Sequence, residues 1–225
     1  MNVCIIFAMK EEAQSLLNDC AAKQISSWPF KVFQKDNILI AISGIGLVNA
    51  SSCLTFLETN YKINFYINCG LVGSVNDEYK SLECLVIKKT YFSTANATGF
   101  GYNYGQIPQM PKFFSSDLNL IDQFLKTNKD IKICNIASSD IFINSLEKKE
   151  LFIVPIKDQI DVVDMEYAAL CQAAYLFKKP IFSFKIVSDK FTNKTNEQQF
   201  KEILDIASQE ISSRMIVYLK DINLI

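Results

Sequence analysis

Three acidic positions carry the chemistry this chain could do. Glu11-Glu12 follows the apolar run 3–8 and opens a helical pattern. Glu166 ends Asp161-Val162-Val163-Asp164-Met165-Glu166, where a strand yields to a helix, and Asp189 closes the apolar run Ile186-Val187-Ser188-Asp189. A carboxylate at the carboxyl end of a strand can take a proton from water, and a buried one can hold a proton near neutrality. Each site also has a purely structural explanation. Acidic residues favour helix N-termini through the macrodipole, and Ser-Asp pairs cap helices or make turns. Missing residue types narrow the field further. There is no His, and Arg214 is the single arginine, so 22 of the 23 basic residues are lysines. This excludes His-based triads, most catalytic zinc sites and pockets built from several arginines. Acid–base work falls to carboxylates, Cys, Lys or Tyr.

Three glycine-bearing segments could bring backbone close to a ligand. Ser43-Gly44-Ile45-Gly46 is a bend without the third glycine of a dinucleotide fingerprint or the Gly-Lys-Ser/Thr of a P-loop. Asn68-Cys69-Gly70-Leu71-Val72-Gly73 could admit a ligand to the main chain or simply turn. Phe100-Gly101-Tyr102-Asn103-Tyr104-Gly105-Gln106-Ile107-Pro108 sets aromatics in a loop, where Phe100, Tyr102, Tyr104 and Ile107 need covering by a ligand or a partner subunit.

The elements that must position these residues are legible as alternating patterns. Apolar runs at 3–8, 30–34, 38–43, 64–69, 83–92, 131–137, 159–163 and 180–187 read as strands. Helical patterns fall at about 10–22, 48–58, 117–127, 166–178 and 196–220. Continuous apolar strands alternating with helices predict a three-layer α/β/α fold, its central sheet mixed, mostly parallel and covered on both faces. In such folds ligands sit at the carboxyl ends of strands. The 225 residues show no linker, repeat or low-complexity tract, so one domain spanning 1–225 is expected.

Composition agrees. Apolar residues make up 49% and charged residues 21%, as in a globular chain with a real core, and the net charge of −1 gives no support for a nucleic-acid partner. Seven scattered cysteines without a C-x-x-C pair read as reduced, mostly buried thiols, not as a metal site. No apolar run nears the ~20 residues of a spanning helix, and the start at 3–9 lacks the flanks of a signal peptide. A cytoplasmic location with no membrane association is the expectation.

Taken in order, the motifs resemble the 5′-methylthioadenosine/S-adenosylhomocysteine nucleosidases of the purine nucleoside phosphorylase superfamily. The resemblance runs from residue 1 to beyond 200. It rests on Ala8-Met9-Lys10-Glu11-Glu12, Ser43-Gly44-Ile45-Gly46, the 100–108 loop, Ser139-Asp140-Ile141-Phe142-Ile143, Asp164-Met165-Glu166 and Val187-Ser188-Asp189. It implies hydrolysis of an N-glycosidic bond with release of adenine, and needs no cofactor or metal. Glu12 would be the base that activates water, and Asp189 the acid that protonates purine N7, with Ser188 beside it. Glu166 would hold the ribose hydroxyls, Met165 would line the sugar, Phe142 would stack on adenine and Ile143 would read the base through its backbone. Met9, Phe100 and Pro108 match positions around the alkylthio group, partly supplied by the second subunit of a homodimer. Phe200 is a less cleanly aligned candidate for the same wall. The residue types suit this chemistry: a purine leaves readily once its ring is protonated, and carboxylates stabilise the oxocarbenium-like sugar while one deprotonates water.

The chain departs from the family pattern in several places. Lys185 stands where the family usually has arginine, carrying the charge without the bidentate fork. Leu71 replaces a small polar residue, Asp164 sits where Glu is commoner, and Ser139 where Gly is commoner. These changes keep open a related hydrolase with another 5′ substituent, such as a futalosine-type hydrolase. A non-catalytic nucleoside-binding protein of the same fold is the alternative from another class, against which the retention of Glu12, Glu166 and Asp189 argues. A phosphorylase fits less well, because phosphate pockets of the superfamily lean on arginines.

Overall fold

The computed structural model describes residues 1–76, 78–190 and 197–225, and gives only the backbone of 189, 190 and 197–200. In chain order the elements are β1 (Val3–Phe7), α1 (Lys10–Asp19), β2 (Lys23–Ser26), β3 (Lys31–Lys35), β4 (Ile38–Ile42), α2 (Leu47–Asn60), β5 (Phe65–Ser74) and β6 (Cys84–Phe92). They continue with β7 (Phe114–Ser115), α3 (Leu118–Thr127), β8 (Lys132–Ser138), α4 (Leu146–Phe152), β9 (Val162–Asp164), α5 (Tyr167–Leu176), β10 (Ile181–Lys190) and α6 (Glu197–Asp221).

One ten-stranded sheet joins them in the order β10-β6-β8-β9-β5-β1-β4-β3-β2, with β7 on β6 and a further pairing of β10 to β5. That last pairing closes β5, β10, β6, β8 and β9 into a ring, from which β1 to β4 extend as a wing. The sheet is mixed as expected: among the described residues five pairings are parallel and five antiparallel.

The continuous apolar strands are explained by burial on both faces. Along β1, Val3, Ile5 and Phe7 pack with α1, α3 and α6, while Cys4 and Ile6 point to the α2 and α5 side. Burying each such side chain contributes roughly 1.5–3 kcal/mol, so neither face tolerates a register slip. A smaller cluster of Val75, Tyr91, Ile143, Ile153 and Ile156 seats α4 and the loops around it.

Differences from the pattern reading have local causes. Helix α1 stops at Asp19 instead of 22, because Ala21 takes a left-handed φ of 49° and turns the chain into β2. Strand β2 has no apolar run to announce it. Its burial is slight, and it exists by pairing antiparallel with β3. Strand β5 does not end at Gly70 but continues to Ser74, because β9 and β10 supply partners beyond the glycine.

Candidate active site

The carboxyl ends of β1 and β4 lie level with the middle of β5, since Ile6 pairs with Asn68 and Phe7 with Ile42. From the opposite direction β9 runs antiparallel to β5 and ends at Asp164, its Val163 facing Gly73. Strand β10 passes alongside, Lys185 opposite Gly70 and Asp189 opposite Gly73. The site therefore sits over residues 70–73 of β5, where strand ends converge from both directions, and not along one parallel edge. Four charged side chains meet there.

Glu12 lies on the first turn of α1 and is 4% exposed. Its Oε2 accepts from the Met9 backbone N–H at 3.1 Å, and its Oε1 accepts from the Leu71 N–H at 2.9 Å. The first bond is the helix-start contact its position suggests. The second crosses to β5, which helix capping alone does not require. Gly70 makes that crossing possible: a Cβ there would stand 2.8 Å from Glu12 Oε1. Burial raises the Glu12 pKa, while the Leu71 amide, the Lys185 charge and the Met9 amide pull it back.

Glu166, the residue before α5, is also buried, and its Oε1 accepts from the Gly46 N–H at 2.9 Å. Burial and the neighbouring Asp164 charge push its pKa up to about 7. Lys185 is 2% exposed and places Nζ 3.1 Å from Asp164 Oδ2. Burial opposes its charge, but the Asp164, Glu166 and Glu12 carboxylates outweigh that and hold the ammonium above its usual range. Asp164 is fixed in turn. Its Oδ1 accepts from Ser138 Oγ at 2.5 Å, its Oδ2 accepts from the Tyr167 N–H at 3.1 Å, and Ser138 Oγ accepts from the Ala168 N–H.

The remaining expected residues divide into those brought to this box and those left outside it. Met9 is the N-cap of α1 and Met165 lies half-buried between Asp164 and Glu166. Ser188 is buried, its Oγ donating to the Val72 carbonyl at 3.2 Å. The backbone of Asp189 is on β10 beside Ser188, while its side chain and that of Phe200 lie outside the described residues. Phe142 stands 60% exposed after β8, and Ile143 next to it is buried. Phe100 is 86% exposed and Pro108 is exposed, both on the aromatic loop.

One expectation about that loop is corrected. Tyr104 and Ile107 need no partner, because they pack on clusters of their own chain and Tyr104 Oη donates to the Leu151 carbonyl. Tyr102 is half-buried, and Phe100 alone of the four stands largely in solvent.

Two further residues belong to the site, Asp164 as the partner of Lys185 and Ser138 as its anchor. The polar Ser138-Ser139-Asp140 closing the apolar strand β8 was the signal for the second; the first joins residues 21 positions apart and had none. Leu71, suspect as a replaced polar residue, contributes its amide to Glu12 while its side chain packs on the α1/α6 core. Among the described residues no three His, Cys, Asp or Glu side chains group as a metal site would require, and no helix is long and apolar enough to cross a membrane.

Residues 2–219 match the Phosphorylase superfamily. The 5′-methylthioadenosine/S-adenosylhomocysteine nucleosidase of Staphylococcus epidermidis is 34% identical over 230 residues, covering 97% of this chain and 99% of the relative. The structure of the Neisseria meningitidis enzyme of that name, in complex with methylthio-immucillin-A, superposes with a TM-score of 0.83 at 25% identity and 98% coverage of each chain. A futalosine hydrolase mutant of Helicobacter pylori reaches a TM-score of 0.86 at 20% identity, covering 98% of this chain and 99% of its own, a likeness of fold alone.

Proposed function

The chain belongs to the phosphorylase superfamily and, within it, to the 5′-methylthioadenosine/S-adenosylhomocysteine nucleosidases, and we propose that it hydrolyses the N-glycosidic bond of these thioadenosines, releasing adenine. The observation that carries the reading is the buried box of Glu12, Glu166 and the Lys185–Asp164 pair. Each glutamate is oriented by a backbone amide from another segment, so little reorganisation is left for the reaction itself.

Glu12 takes the proton of the attacking water. One backbone donor occupies each of its oxygens, and a carboxylate oxygen has a second lone pair to offer. Glu166, in its ionised form, accepts from the ribose hydroxyls, with Met165 against the sugar. Phe142 stacks on adenine and Ile143 meets the base edge through its main chain. Asp189 gives the proton to purine N7, and Ser188 beside it supports that transfer. Lys185 holds Asp164 and balances the charge of the two glutamates. Protonation of the base weakens the glycosidic bond, the sugar takes on positive character beside the carboxylates, and the water activated by Glu12 adds at C1.

We also propose a cytoplasmic homodimer, with Met9 of one chain and Phe100 and Pro108 of the other around the alkylthio group. Two observations support the dimer. Phe100 has no cover of its own, and a groove of about 330 Å³ between α2 and α5 is lined by Leu47, Val48, Phe92, Ala173, Leu176 and Phe177. Light scattering at micromolar concentration should give the dimer mass; a fully active monomer would count against it.

Incubation with methylthioadenosine, S-adenosylhomocysteine, adenosine and inosine, followed by identification of base and sugar, tests the reaction. The expected result is adenine from the two thioethers. A futalosine-type hydrolase would leave both intact, and a binding protein would retain nucleoside without releasing base.

A further inference from the structure

The N-terminus of α2 holds two carboxylates from different parts of the chain. The Gly46 N–H donates to Glu166 Oε1 at 2.9 Å, and the next amide, that of Leu47, donates to Asp140 Oδ1 at 2.8 Å. Asp140 sits in the loop after β8, two residues before Phe142. The rest of that loop is tied down independently. The Ser139 N–H donates to the Asp164 carbonyl at 3.3 Å, Ser139 Oγ donates to the Ile141 carbonyl, and Lys148 Nζ donates to the Phe142 carbonyl at 2.9 Å. Among the described residues it is the Asp140 side chain that hydrogen-bonds this loop to the glycine bend. Gly46 is required for it twice over: its φ of 104° disfavours side chains, and a Cβ would stand 2.9 Å from Asp140 Oδ1.

We propose that Asp140 is a positioning residue that holds the base-binding loop and the ribose carboxylate Glu166 in one register, through adjacent amides of α2. The inference rests on the proposed roles of Phe142 and Glu166. Two amides one residue apart on a helix end cannot move separately, so a displacement of the loop that carries Phe142 is transmitted to Glu166. The helix N-terminus also favours both negative charges. Asp140 touches neither base nor sugar; it fixes the distance between the groups that do.

A ligand that spans both halves should therefore feel the loss of Asp140 more than one that occupies a single half. Asp140→Ala is compared with Asp140→Asn, which keeps the acceptor oxygen, by measuring KM and kcat for methylthioadenosine and the inhibition constant of adenine alone. For Asp140→Ala the expected result is a KM raised about tenfold, the size of one charge-assisted hydrogen bond, with kcat reduced less than about threefold. Adenine inhibition should weaken by less than about threefold. Asp140→Asn should recover KM to within about threefold of the parent chain. Unchanged KM in Asp140→Ala overturns the proposal, and so does equal weakening of nucleoside and adenine, which would confine Asp140 to the base loop. Should Asp140→Ala not fold, Asp140→Asn decides, since a KM raised tenfold with the acceptor present contradicts the register. The parent chain run in parallel separates the two readings, because failure to release adenine there counts against the nucleosidase assignment and not against the link at α2.

Discussion

Two clusters of charge in this molecule use the same groups in opposite surroundings. At the edge, Arg214 on α6 makes two bonds to Asp130 at 2.6 and 2.7 Å and a third to Glu210 at 2.7 Å, in a setting where Asp130 is 65% exposed. At the centre, Lys185 and Asp164 make a single contact of 3.1 Å with both side chains 2% exposed. The peripheral cluster has the better hydrogen-bond geometry, including the planar fork of the chain's one arginine. The central one has the two glutamates, and their pKa values rise through burial. Geometry and consequence are thus uncoupled. Water screens the edge, whereas desolvation makes each central charge depend on the others. Both cations are committed: Arg214 to Asp130 and Glu210, and Lys185 to Asp164.

The largest effects should come from removing proton transfer at the centre. Glu12→Gln and Asp189→Asn are each expected to lower kcat by about 10²–10⁴-fold, while binding of a substrate analogue survives better. Steady-state kinetics with calorimetric binding checks both. Full turnover in Glu12→Gln would return that residue to a helix-start role and erase the functional half of the contrast.

Breaking the central ion pair should come next. Lys185→Met leaves Asp164 buried without its cation and is expected to cost about 3–5 kcal/mol of stability in a denaturant titration. Lys185→Arg should retain most of that stability. The pH dependence sharpens the same point. If Glu166 binds the ribose hydroxyls, it accepts from them most strongly when ionised, and with its pKa pushed up to about 7 kcat/KM should climb as pH rises through that value. Stability moves the other way. A carboxyl whose folded pKa is raised contributes stability that is fully present below its ordinary value near 4.5 and is lost as pH rises through about 7. Melting temperature should fall over that window in the parent chain and fall less in Glu166→Gln, where Glu12 alone of the two buried glutamates still titrates. The smallest effect belongs to the edge: Arg214→Ala should change stability by about 1 kcal/mol or less and leave kinetics alone.

What the sequence disclosed follows from the same distinction between local and distant causes. Strands β1 and β4 were legible because both their faces are buried, which leaves an uninterrupted apolar run. Strand β2 was not, since Lys23-Gln24-Ile25-Ser26 is made a strand by its neighbour. The seven residues of α4 are too few for a helical period to stand out, although Ser145 caps them through the Lys148 N–H. At the site, Glu12 and Glu166 could be located from where apolar runs end. The amides that orient them belong to Leu71 and Gly46, and no pattern within one segment marks a partner 59 or 120 residues away. Gly70 shows the limit well. It reads as a strand stop, and its part in the structure is to leave room for a carboxylate oxygen.

On the proposed roles this box activates water and not phosphate, since among the described residues Lys185 is held by Asp164 and Arg214 by Asp130 and Glu210. Running the reaction with methylthioadenosine in ¹⁸O-labelled water, over a wide range of inorganic phosphate, tests it most directly. Hydrolysis should leave one ¹⁸O atom at C1 of free methylthioribose, at a rate that does not change with phosphate. Unlabelled methylthioribose 1-phosphate, formed at a rate that rises with phosphate, would contradict it.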